Sequence, residues 1–156
     1  MKVGDLVIVA TLGEIKAYKA NPRTPEAEAG LKPNEVKLDL ITAIDIVQAH
    51  KKVQDLVTGI EGANKPGFLN RAFSGENHNL KAEIYKEAVK AVAEDIDMLI
   101  EQYGEKKVFL SLPKPIANDV LSYLKNSSKI YRLVEKDLLK IDKNKLIDEF
   151  KPEILK

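Results

Sequence analysis

A chain of 156 residues with 44% apolar and 31% charged side chains has the size and composition of one globular domain, able to bury roughly two-thirds of its unfolded surface. Its 25 basic groups nearly cancel its 24 acidic ones, which excludes a uniformly basic surface and leaves only a local patch to meet nucleic acid or membrane. Cysteine is absent, which excludes disulfides, thiolate metal sites and cysteine nucleophiles.

In chain order, residues 5–11 are a short apolar run, Gly13 marks a turn, and Glu14-Ile15-Lys16-Ala17-Tyr18-Lys19 alternates polar with apolar. This is a hairpin signature. The run from Leu6 ends at Gly13-Glu14 without a small-residue cleavage pattern, so it reads as a strand and not as a leader. No stretch reaches the ~18 apolar residues of a membrane span, and Ile154-Leu155-Lys156 is no lipidation box. A cytoplasmic protein without a membrane partner is expected. Residues 21–33 hold three prolines and a glycine and predict an exposed connection, and Val36, Leu38 and Leu40 then alternate as a third strand within 35–46. Residues 44–57 suit either a continued strand or a short helix.

Across residues 58–79 the character changes. Gly59, Gly62, Gly67 and Gly75 accompany Pro66 and four asparagines, which predicts a long loop of the kind kept for function. Asn79 is a plausible cap for a helix over 80–103, where Leu80, Ile84, Ala88, Val92, Ile96, Leu99 and Tyr103 recur at helical steps and Gly104 supplies the stop. Residues 107–112 (Lys-Val-Phe-Leu-Ser-Leu) predict a buried strand, and Pro113 and Pro115 the entry to a helix bearing Ile116, Val120, Leu121 and Leu124. Asn126-Ser127-Ser128 turns the chain into a last strand, 129–134, and Leu146, Ile147 and Phe150 predict a terminal helix closed by Pro152. The whole is a single α/β domain, with no internal repeat.

Catalytic patterns are missing. His50 and His78 stand apart from any Gly-x-Ser-x-Gly turn and lack metal-ligand spacing. The glycines of 58–79 lack the Lys-Ser/Thr of a phosphate loop, since Gly67 precedes Phe68-Leu69. Glu61 would repel phosphate in the Gly-x-x-Gly at 59–62. No catalytic residue, metal ligand or cofactor is assigned. Asp39, Asp45, Asp119 and Asp137 leave open a metal-dependent nuclease or phosphoesterase, although strand-end and cap roles account for such acids equally well. A protein-interaction module is a further alternative, for which an exposed apolar patch on the terminal helix would be the cue.

The remaining candidate is cationic. Lys51, Lys52, Lys65, Arg71, His78 and Lys81 bracket the glycine-rich loop, with Phe68 and Phe73 inside it. Cations neutralise phosphates and a loop phenylalanine can stack on an unpaired base. The alternative is an ordinary loop whose phenylalanines tuck into the core and whose lysines are merely solvated.

The strand ending in Pro113-Lys114-Pro115, the helix after it, and Tyr131-Arg132-Leu133-Val134-Glu135-Lys136-Asp137-Leu138 before a last helix resemble the bacterial family of host attachment proteins. That family carries a Lys-Asp-Leu-Thr box; here Leu139 stands in place of the threonine and Ile141-Asp142 in place of a usual His-Pro. The loop Asn70-Arg71-Ala72-Phe73-Ser74 is similar to the family's Arg/Ser-rich loop. The family is in turn similar to the middle domain of eukaryotic and archaeal peptide-release factors. The resemblance implies a mixed five-stranded, ribonuclease-H-like sheet with helices packed on its faces, and a ribosome- or RNA-associated role with Lys65, Arg71 and His78 facing RNA. Residues 58–79 contain neither a Gly-Gly pair nor a glutamine, so the Gly-Gly-Gln of peptide release is not among the implications.

Overall fold

A computed structural model describes residues 1–46 and 76–151, the side chains of 76–79 excepted. The elements are β1 (Leu6–Ala10), β2 (Glu14–Pro22), α1 (Pro25–Glu28), β3 (Val36–Asp45), α2 (Glu76–Tyr103), β4 (Val108–Ser111), α3 (Lys114–Tyr123), β5 (Ile130–Val134) and α4 (Lys143–Glu149). A short 3-10 turn, Ser127–Lys129, leads into β5. The five strands form one mixed sheet in the order β3-β2-β1-β4-β5. The β1–β2 and β2–β3 pairs are antiparallel, and β1–β4 and β4–β5 are parallel.

The centre of the sheet explains its sequence. All five residues of β1 and all four of β4 are buried, because helices cover both faces and a strand so placed has no polar side to show. On one face Leu6, Ile8, Val108 and Leu110 meet α2 through Val89, Val92, Ala93, Ile96, Leu99 and Ile100, and α3 through Ile116, Ala117 and Val120. On the other, Val7, Val9 and Phe109 meet Leu138, Leu146 and Phe150 from the C-terminal segment.

Register in β3 shifts once. Ala17 pairs with Thr42 and Tyr18 with Leu40, so Ile41 is an extra residue. Because cross-strand partners share a face, Val36 and Leu38 join the core of Tyr18 and Ala20, whereas Ile44, opposite Ile15, packs on the α2 side. Residues of the same parity thus serve opposite faces.

Helix α2 begins at Glu76, so Asn79 lies inside it and is not its cap. None of the side chains 80–87 is buried, and burial starts at Ala88. Gly104 follows the last helical residue, and no side chain would fit there, because a β-carbon would stand 2.5 Å from the Ile100 carbonyl oxygen. Asp97, 7% exposed, ties α2 to the end of α3 by accepting the backbone N–H groups of Lys125 and Asn126 and the Asn126 amide. The connection 21–33 contains α1, capped by the Thr24 hydroxyl, which accepts from the Ala27 N–H. The stretch left open as strand or helix, 44–57, continues β3 to Asp45; beyond Ile46 it lies outside the described residues.

Candidate functional site

Parallel register builds a site that chain order hides. Leu6 pairs with Val108 and Val108 with Ile130, so the residues just before these strands, Asp5, Lys107 and Lys129, start neighbouring strands that lie ~4.8 Å apart. At this amino end of the parallel strands a groove of about 960 Å³ opens, lined by Lys2, Lys106, Lys107, Lys129 and Tyr131 among others.

Its floor is anchored by one carboxylate. Asp5, 2% exposed, accepts the Lys2 N–H at 2.7 Å and the Lys107 N–H at 3.3 Å, so a buried charge is met by backbone donors. Gly4 turns the chain at φ +95°, and a β-carbon there would stand 2.6 Å from the Lys106 side chain. The Lys106 ammonium donates to the Val3 carbonyl at 3.2 Å.

Its wall is aromatic. Tyr131 is 54% exposed, yet its ring stands edge-to-face on buried Phe109, with centroids 5.5 Å apart, and Phe109 packs likewise on Phe150 at 5.7 Å. The Lys107 ammonium lies 4.1 Å from the centroid of the Tyr131 ring, a close cation–π contact.

None of Lys2, Lys106, Lys107 and Lys129 forms a salt bridge among the described residues, where the ion pairs are Lys32–Glu35, Lys136–Glu149 and Lys151–Asp148. Asp5, Glu28 and Glu105 also line the groove, so its positive surplus is small. The arrangement can hold a small number of phosphates beside an aromatic ring, and it offers no nucleophile–base pair.

The residues expected to bind RNA are placed differently. Lys51, Lys52, Lys65, Arg71, Phe68 and Phe73 lie outside the described residues, and His78 falls in the first turn of α2. Lys81 is exposed on α2. It stands 23 residues before Gly104, about 35 Å along a helix, so it does not join the groove that Gly104 lines. Sequence reading missed Lys2, Lys106, Lys107, Lys129 and Tyr131. The available signal was a lysine at the first position of each of two expected strands, Lys107 and Lys129.

Among the described residues no group of three or more His, Asp or Glu is placed to hold a metal ion. Asp39 accepts from the Asn21 amide and Asp137 from the Leu139 N–H. Asp45 ends β3. Asp119 accepts the Tyr85 hydroxyl at 2.6 Å, and that bond holds the tyrosine above its ordinary pKa. The apolar side of α4 is turned inward through Leu146, with Phe150 buried just beyond the helix, so it offers no exposed apolar patch. No described helix is long and apolar enough to cross a membrane. No family model, curated protein or solved structure matches the chain.

Proposed function

We propose that this chain is a non-catalytic, cytoplasmic, release-factor-like domain that binds ribosomal or other structured RNA and lacks the residues for peptide release. The observation that carries the binding half is the groove at the amino end of the parallel strands, where four lysines without carboxylate partners among the described residues surround an exposed tyrosine. Phosphates supply what those ammonium groups lack, and contacts of this kind dominate RNA affinity.

The release-factor half draws support from layout. A β3-β2-β1-β4-β5 sheet with β1, β4 and β5 parallel, and a 28-residue helix between β3 and β4, is the order expected of a ribonuclease-H-like domain. The cationic segment holding Lys65 and Arg71 would then be a second contact. The chain leaves the described region at Ile46, whose N–H donates to Gly13 at the β1–β2 turn, at the end of the sheet away from the groove.

Fluorescence anisotropy with a hairpin RNA bearing a single-stranded tail tests the reading. A Lys106→Glu/Lys107→Glu variant should bind at least 10-fold more weakly with a flatter salt dependence, and Lys65→Glu/Arg71→Glu should weaken co-sedimentation with ribosomes. Wild-type protein that binds neither RNA nor ribosomes at low salt would overturn it.

A further inference from the structure

We infer that the groove selects unpaired nucleotides, with one base stacking on the Tyr131 ring in place of the Lys107 ammonium. The inference rests on the RNA-binding reading and narrows it to a class of ligand.

Four observations converge. The Tyr131 ring is exposed yet held in orientation by Phe109 and, behind it, Phe150, so a flat surface is presented ready-made and little ordering is needed when a ligand arrives. That surface is covered in the free protein by the end of a flexible side chain, the Lys107 ammonium. An ammonium group is attracted to a π face as a cation and to a phosphate more strongly. When a nucleotide enters, Lys107 can move to the phosphate while the base takes the ring, so both partners of the present contact gain a better one.

The groove's volume of about 960 Å³ is near the top of the range for clefts and cavities that hold small ligands, ~300–1,000 Å³, and its open side admits a short stretch of single strand. A duplex keeps its bases stacked inward and offers no base face to the ring. Finally, Glu28 and Glu105 in the lining, with Asp5 in the floor, disfavour a dense array of phosphates. Four lysines against these three acids accommodate about one to four phosphates, and at ~0.7 per phosphate the logarithmic salt slope for single strands should have a magnitude of about 0.7 to 2.8. Stacking carries no dependence on sequence, because every base has a π face.

The chain contains no tryptophan, which makes a clean probe. Tyr131→Trp places a single indole in the groove, and its emission should be quenched on titration with a short single-stranded RNA and left unquenched by a blunt RNA duplex of the same length. By anisotropy, Tyr131→Ala should lose about 5- to 150-fold in single-strand affinity, Tyr131→Phe should match wild type, and circular dichroism should show Tyr131→Ala folded. Single-stranded DNA run in parallel shows whether the 2′-hydroxyl contributes; equal affinity keeps the stacking assignment, and binding of neither single strand removes it. Equal binding of duplex and single strand with Tyr131→Ala unaffected, while Lys106→Glu/Lys107→Glu weakens both, overturns this inference and leaves RNA binding standing. If no nucleic acid binds, both fall.

Discussion

The two ends of the parallel strands are built on different principles. At the carboxyl end Ala10, Ser111 and Leu112 are buried, the Ser111 hydroxyl donates to the Lys136 carbonyl, and the Leu112 N–H donates to Val134. At the amino end the chain presents lysines around an open groove, held in place by one buried carboxylate. Open α/β sheets ordinarily place ligands beyond the carboxyl ends of their strands. Here, among the described residues, the inviting end is the opposite one. Which end of a sheet stands open depends on which end its own side chains fill, and strand direction alone does not decide it.

Truncation at the filled end should have the largest effect. Leu112→Ala removes a fully buried side chain and should cost about 3 kcal/mol in denaturant unfolding, with RNA affinity unchanged once the protein is kept folded. A parallel loss of affinity would mean that the two ends are coupled. At the open end Asp5→Ala removes a charged acceptor from two backbone donors and should cost about 2 kcal/mol. Unlike Leu112→Ala it should also weaken binding several-fold, because Lys2 and Lys107 lose the anchor that positions them. Intact affinity in Asp5→Ala would separate the anchor from the site.

The smallest effect belongs to neither end. Burial, with Glu94 alongside, raises the Asp95 pKa above its ordinary value. The folded state therefore holds this proton more tightly than the unfolded one. The contribution favours folding at low pH and is lost as pH rises through the folded-state value. Asp95→Asn should accordingly raise Tm at pH 7, by no more than about 2 °C given that the carboxyl is partly solvent-screened. The gain should vanish near pH 3, below the ordinary carboxylate pKa. A gain that persists there would point to packing as its source.

Much of this fold is legible locally. Alternation in Glu14 to Lys19, the apolar run Val108-Phe109-Leu110 of β4, and Pro113 and Pro115 ahead of Ile116 each carry their meaning within a few residues. The start of α2 is not legible, because Leu80 is 37% exposed and the helix extends over polar residues that give no periodic signal. The groove was hidden for a deeper reason. Asp5, Lys107 and Lys129 are separated by 102 and 22 positions, and only the parallel register brings them level. A hairpin can be read from its turn, whereas a parallel pairing leaves no mark in the residues between.

The extra residue in β3 has its own consequence. On the described chain β3 is an outermost strand, its far side without a paired strand, which is where folded proteins are prone to zip onto copies of themselves. Ile41 puts a crimp in that margin beside the uncharged stretch from Leu40 to Ile44, and a crimped margin makes a poor template. Removing Ile41 would leave every other side chain of the strand on its present face while straightening the border. The residue that looks superfluous to the pairing thus packs against the core on the α2 side and bends the border away from a straight edge.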